Sequence, residues 1–356
     1  MANPRRRSVR ATRLARPDTI SDSDERADNS AADRASYTWS ALVDQLVSAH
    51  GSLARVAELL AETRGFRDDV ASVERALRRL RAKSTESGGV WGQRLLARFG
   101  LPDEPSRRAR WMGTYHSRFT DLPVDVCESL LRLWDAGPVR ESRARVWIEL
   151  GYISVLLRRG ELDRAEDSLA RSKPLLANAH PAASVEWALT EAFVASRRDD
   201  PARVDRALEH AKAALDAHES GIEPDERACL LARWVDQRAF IENRSGDRAR
   251  EIEAERMYAA LAAEGVPAFA RCRRENGLAY ARMRAGDREA AVVHAENAAR
   301  AAGDAGALRM RVMALLMLAK VKGREHAKGE LARAFEISSE LRDEALLARV
   351  ERLRAK

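Results

Sequence analysis

An all-α fold is predicted by three features of the sequence. Alanine, arginine, leucine and glutamate, all strong helix formers, dominate the composition, and aromatic residues make up only 5%. Runs of valine, isoleucine, threonine and tyrosine that would favour strands are almost absent. Apolar residues recur at spacings of three and four, as at Val70, Val73, Leu77 and Leu80, which is the period of an amphipathic helix. At 356 residues, 45% hydrophobic and 33% charged, the chain is long enough for two or three folding units with apolar cores.

The same sequence narrows the functional class. Cys127, Cys229 and Cys272 lie far apart and form no C-x-x-C pair, so buried free thiols in a reducing compartment are expected, with no disulfide or zinc framework. The longest apolar stretch, Val312 to Ala319, is less than half of what a bilayer crossing needs, and no apolar segment follows the N-terminal arginines. A cytoplasmic protein without membrane contact is the expectation. The formal net charge of +7 is unevenly placed. Met1 to Pro17 holds six arginines and no acid, and Arg75 to Arg110 holds ten lysines or arginines against three acids. From Glu141 onward the charges nearly balance, so an anionic partner is expected at the front of the chain.

Residues 1–35 read as a solvated tail with a basic and then an acidic half and no apolar periodicity. Three helices are expected next. The first, near Trp39 to Ala49, places Leu42, Leu46 and Ala49 on one face and ends at His50-Gly51. Ser52 can cap the second, whose stripe is Leu53, Val56, Ala57 and Leu60, with Gly65 closing it. Asp68-Asp69 can cap a third from about Val70. Opposite its apolar face lie Ser72, Arg75, Arg78, Arg79 and Lys83, the donors a recognition helix needs for phosphates and base edges.

The stretch Ala49-His-Gly-Ser-Leu-Ala-Arg-Val-Ala-Glu-Leu-Leu60, followed by Val73-Glu-Arg-Ala-Leu-Arg-Arg-Leu80, resembles the helix-turn-helix of the Fis type. It departs from that pattern between Ala61 and Asp69, where the connection is several residues longer than the usual turn. The resemblance implies binding of double-stranded DNA through the third helix. Read as residues alone, its arginines equally suit a solvated surface.

Beyond Glu86-Ser-Gly-Gly89, a short helix is expected from Trp91, capped by Gly100 and stopped by Pro102. Arg107 to Phe119 is the densest basic and aromatic cluster. It suits domain packing, with Trp111, Tyr115 and Phe119 at i, i+4 and i+8, better than stacking on a single nucleic-acid strand. Another helix spans Asp125 to Trp134, broken by Gly137-Pro138.

From about Glu141 the chain resembles the tetratricopeptide (TPR) repeat. Gly160-Glu-Leu-Asp-Arg-Ala165 with Leu169 and Ser172, and Gly286-Asp-Arg-Glu-Ala-Ala291 with Ala295 and Ala298, carry the turn and the small residues of that family. Asp200 to Ala207 with Ala211 and Ala214, Gly246-Asp247, and Lys322 to Ala334 give looser copies. The matched positions Ala165, Ala207, Glu251, Ala291 and Ala327 recur at 36 to 44 residues, longer than the usual TPR period of about 34. Small residues let paired helices approach closely, and five pairs suffice for a curved stack with an inner groove. The first helices line that groove in this family. They carry Arg143, Trp147, Tyr152, Trp187, Trp234, Arg238, Asn276 and Tyr280, of which Arg238, Asn276 and Tyr280 are the candidate partner contacts and Trp187 and Trp234 candidate core.

No histidine pairs at metal-ligand spacing, and no phosphate loop, dinucleotide fingerprint or nucleophile elbow is present, so neither catalysis nor a cofactor is expected. His116, beside Tyr115, is the one histidine with reactive-looking neighbours. The expected organisation is a tail over 1–35, a helix-turn-helix-like unit over 36–85, a helical connector over 86–140 and a TPR-like α-solenoid over 141–356. The expected function is that of a bacterial DNA-binding transcriptional regulator, whose solenoid binds a peptide or protein partner or forms a homodimer. The rival expectation is a TPR adaptor whose basic front docks an acidic protein.

Overall fold

Helix caps written into the sequence start the first unit. The computed structural model describes residues 36–62, 69–84 and 86–355, so the expected tail, Gly65 and most of the long connection lie outside the described residues. Thr38 accepts a hydrogen bond from the Ala41 amide at the start of α1 (Trp39–His50), and Gly51 ends that helix with φ 89°. Ser52 caps α2 (Leu53–Ala61) through the Arg55 amide, and Asp69 caps α3 (Val70–Arg81) through the Ser72 amide. Trp39, Leu42, Val43, Leu46, Val56, Ala57, Leu60, Val73, Leu77 and Leu80 form one buried cluster. Ala49, expected on the buried face, is exposed, and Val43 fills that side of α1 instead.

The next helix, α4 (Gly89–Phe99), packs on this unit, with Leu95 buried in the same cluster. Gly88 and Gly92 make that possible: a β-carbon at either would overlap the Trp39 ring. The Trp39 indole also donates to the Glu86 carbonyl at 2.9 Å, fixing the segment between α3 and α4.

Helices α5 (Asp103–Gly113), α6 (Val124–Trp134) and the short α7 (Gly137–Glu141) follow, with a 3-10 turn at Arg118–Asp121. The expected aromatic stripe from Trp111 to Phe119 does not form, because α5 stops at Gly113. That glycine lies against the Trp147 backbone, and Thr114 turns extended with its hydroxyl donating to the Arg110 carbonyl. The cluster still packs. Met112 and Phe119 are fully buried, and Trp111 meets Phe119 edge to face at 5.2 Å.

The remaining helices pair with their neighbours: α8 (Arg145–Arg158) with α9 (Leu162–Ser172), α10 (Pro181–Arg197) with α11 (Pro201–Ala217), α12 (Pro224–Arg244) with α13 (Arg248–Ala259). Then come α14 (Ala268–Arg284) with α15 (Arg288–Asp304), α16 (Leu308–Lys322) with α17 (Lys328–Glu340), and a last helix α18 (Glu344–Ala355). The eighteen α-helices and the absence of strands among the described residues make the chain all-α, with a solenoid-like stack of helix pairs. Ala165, Ala207, Ala291 and Ala327 are buried as expected of close-packed positions. Glu251 is not the small residue of its pair. Its carboxylate turns out to Arg284 and Arg248, and Ala254, one turn later, is the fully buried contact. Trp187 and Trp234 hold corresponding places, donating to the carbonyls of Leu169 at 3.1 Å and Leu208 at 2.9 Å on the preceding helix.

The stack bends until its end meets its beginning. The Val124 amide at the head of α6 donates to Leu341 O at 3.0 Å, and Asp121 accepts from the Arg309 amide at 2.9 Å. Arg158 at the end of α8 is buried against Asp343, with Nε 3.0 Å from Oδ2. Its other nitrogens donate to the carbonyls of Leu122 and Leu341 and to the Cys127 sulfur. Every face of this guanidinium is thus met by an acceptor, which a buried charge requires. Among the described residues no helix is long and apolar enough to cross a membrane.

Candidate nucleic-acid interface and the arginine-lined inner face

Two surfaces have the chemistry to bind a partner. The first is the outer face of α3. With Val73, Ala76, Leu77 and Leu80 turned into the core, Arg75, Arg78 and Arg79 are left in solvent. Together with Ser72 and with Trp91 of α4 they line one shallow, open hollow. The five candidate nucleic-acid residues are not equally available. Arg78 pairs with Glu74 at 2.5 Å one turn back, and Arg75 donates to the Ser72 hydroxyl at 3.0 Å. Both are exposed contacts of about 0.3–0.5 kcal/mol, easily exchanged for a phosphate. Arg79 has no partner among the described residues. The Ser72 hydroxyl already donates to Asp69 at 2.8 Å, and Lys83 is held by the Ser87 carbonyl at 2.6 Å. These Ser72 hydrogen bonds, side-chain and backbone, hold the Asp69 carboxyl below its ordinary range. Trp91 is itself covered by Arg94, 4.7 Å from the ring centre, so the hollow carries an aromatic face rimmed by cations.

The second surface is the inner face of the helix stack, and its centre is Tyr115. The Arg233, Arg309 and Arg273 guanidiniums stand 4.3, 5.2 and 5.9 Å from the Tyr115 ring centre, and Arg273 Nη2 lies 3.3 Å from the phenol oxygen. Burial would raise the phenol's pKa, but Arg309, Arg273 and Arg233 outweigh it and bring the phenol down to about 8. Each of the three has a carboxylate on another turn of the stack. Arg233 pairs with Glu186 of α10, Arg273 with Asp236 of α12, and Arg309 Nε lies 2.9 Å from Asp343, without the alignment of a hydrogen bond. Asp343 therefore serves Arg158 and Arg309 together, joining the first helix pair to the last.

His116 follows Tyr115 into this region, with its ring 5.6 Å from that of Phe269. Burial, then Arg233 and Arg110, push its pKa down to about 3, and its Nδ1 has no hydrogen-bond partner among the described residues. It is a neutral packing residue, which accounts for the reactive-looking pair in the sequence. On the outer side of the same segment, Arg118 donates to Gly306 O at 2.7 Å and to the Ala305 carbonyl, clamping the connector across the end of α15. The segment Arg110 to Phe119 thus occupies the side of the inner face formed by the first turns of α12, α14 and α16.

The three candidate groove residues do not form one site. Arg238 turns toward α11, pairing with Asp205 at 2.7 Å and with Glu242 at 3.0 Å. It comes five residues after Arg233, about 140° around the helix. Asn276 and Tyr280 follow Arg273 by three and seven residues, which returns them to within about 60° of its direction. Both are half-buried, and the Asn276 amide oxygen is buried with no partner among the described residues. The sequence reading missed the arginines themselves. Arg158, Arg197, Arg233, Arg273, Arg309 and Arg349 recur at intervals of 36 to 40 residues, one on each of α8, α10, α12, α14, α16 and α18. That recurrence was present in the sequence, but arginine is so abundant here that it does not stand out. Among the described residues no group of three or more metal-ligating side chains occurs. No family model matches the chain, and neither a curated protein nor a solved structure matches it.

Proposed function

We propose that this chain is a DNA-binding transcriptional regulator, in which α3 reads duplex DNA and the helix stack serves as the sensing or dimerising half. One observation carries the reading: a single capped helix presents Arg75, Arg78 and Arg79 to solvent beside Trp91, while its opposite face is locked into an apolar core. A rigidly seated helix with long donors on its free face meets the mechanical need of a recognition helix. The likeness of Ala49 to Leu80 to a Fis-type helix-turn-helix and of the stack to TPR repeats agrees with this assignment. Arg79 and Arg75 would contact phosphates or guanine edges, Arg78 would exchange Glu74 for a phosphate, and Ser72 and Lys83 would shape the helix ends.

The test is electrophoretic mobility shift of duplex DNA by the full chain over a range of salt. Retardation at low salt is expected, falling steeply as salt rises. The double substitution Arg75→Glu and Arg79→Glu should remove most of the affinity and lower the salt slope by about two, with no loss of thermal stability. Failure of the full chain to retard any duplex at low salt overturns the proposal. Recovery of one stoichiometric acidic protein after nuclease treatment, with no DNA retained, would replace it with the adaptor reading.

A further inference from the structure

The inner face carries more positive charge than it neutralises. Arg118, Arg158, Arg233, Arg273 and Arg309 share four carboxylates, those of Asp121, Glu186, Asp236 and Asp343. Two further arginines come to the same place. Arg349 of α18 lies in the electrostatic reach of Tyr115, Arg273, Asp236 and Arg197, so helices at opposite ends of the stack face one another there. Neither Arg197 nor Arg349 has a hydrogen-bond or ion-pair partner among the described residues. Both keep contact with water, as Tyr115 does in part, yet Arg349 is hemmed in enough that burial depresses its pKa. Together these describe a cluster of guanidiniums on the inner face that is open to water. Arg273 adds a built element: its side chain is 9% exposed, and its Nε has no hydrogen-bond partner among the described residues. Like charges gathered in one place cost free energy unless an anion sits among them.

We propose that this cluster binds a small oxyanionic ligand, a phosphate or carboxylate compound, between Arg197, Arg273 and Arg349 and above Tyr115. Guanidiniums suit that ligand because their planar donors match two oxygens at once. A small molecule is specified because Arg110 to Phe119 already fills one side of the inner face and the last helix lies across it. The site is separate from the cationic face of α3 and does not depend on DNA binding by that face.

Tyr115 supplies an internal reporter. Neutralising the guanidiniums near it removes part of the field that lowers its pKa, so bound anion should move the phenol's titration from about 8 toward its ordinary value of 10.0. The full chain is titrated with inorganic phosphate, pyrophosphate and citrate, following thermal unfolding and the tyrosinate absorbance lost in Tyr115→Phe. At least one of the three should raise the unfolding midpoint and the phenol's titration midpoint together, and which one does so separates phosphate from carboxylate ligands. Arg197→Gln and Arg349→Gln should each weaken that binding at least about tenfold. The exposed Arg333→Gln, and the Arg75→Glu, Arg79→Glu double variant, should bind as wild type. If none of the three anions shifts either readout, or if Arg197→Gln and Arg349→Gln bind like wild type, the site is overturned. The phenol readout on unmodified protein keeps the test decisive should a glutamine variant fold poorly.

Discussion

The first four helices and the helix stack handle charge in opposite ways. In the former, every charged side chain of α3 faces out, and the interior is Trp39, Leu42, Leu60, Leu77, Leu80 and their neighbours, all apolar. In the latter, Arg158, Arg233, Glu186 and Asp343 are buried, tying one turn of the stack to another. Yet by formal charge the first region is the basic one and the second is nearly balanced. Net charge therefore locates a surface for partners, and it says little about where charge determines structure. An ion pair between exposed side chains is screened and contributes a few tenths of a kcal/mol. The same pair out of water is expensive to form and far more expensive to break.

The sharpest way to break this comparison is to remove one carboxylate of the same kind from each region. Asp343→Ala leaves Arg158 and Arg309 facing an empty position inside the fold and removes the acceptor for the Leu346 amide. A loss of about 3–5 kcal/mol is expected in urea unfolding of the full chain. Glu74→Ala removes the exposed partner of Arg78 and should cost no more than about 0.5 kcal/mol. Equal losses in the two variants would show that the buried pairs do not hold the stack closed.

A smaller effect comes from His116. Its folded pKa, about 3, lies below the ordinary value of 6.5, so the unfolded chain takes up the proton first as pH falls. Stability from this residue is complete above about pH 6.5 and is lost on the way down to about pH 3, by about 1.4 kcal/mol per pH unit within that window. His116→Leu should flatten the acid side of the stability profile by about that slope, measured by urea unfolding between about pH 6 and pH 4. An unchanged slope would show that the folded chain protonates His116 as readily as the unfolded one does. The comparison would then rest on the arginine pairs alone.

How much of this was legible beforehand differs between the two regions for a physical reason. The caps Ser52 and Asp69, the stripe Val73, Leu77 and Leu80, and the exposure of Arg75, Arg78 and Arg79 follow from local spacing, and the structure has them as the sequence implies. The end of α5 at Gly113 was not legible, because it depends on the Trp147 backbone more than thirty residues away. Nor was the convergence on Tyr115. Its arginines come from helices spread from α12 to α18, and only the bending of the stack brings them to one phenol. Asp343 looks like an ordinary helix cap in the sequence, and nothing local says that it closes onto Arg158. Arg238 is a different case. Its position on a first helix follows from the repeat spacing, but the helix rotation that points it at Asp205 does not.

The smallest expected effect concerns the turns inside the helix pairs. Gly160, Gly246 and Gly286 hold the left-handed backbone there, with φ of 74°, 74° and 84°, but the α10–α11 turn has Asp199 at φ 55°. A side chain in that conformation costs about 1–2 kcal/mol, less for aspartate than for most residues. Glycine removes this strain and gives back about 0.4–1 kcal/mol through the greater freedom of the unfolded chain. Asp199→Gly should therefore raise stability by about 0.5 kcal/mol in urea unfolding, a gain that touches no buried charge. Combined with Asp343→Ala, the two changes should add to within about 0.5 kcal/mol, because they share no partner. Marked non-additivity would mean that the turn geometry and the ring of buried pairs are strained together, and that the stack closes only by forcing its own repeats.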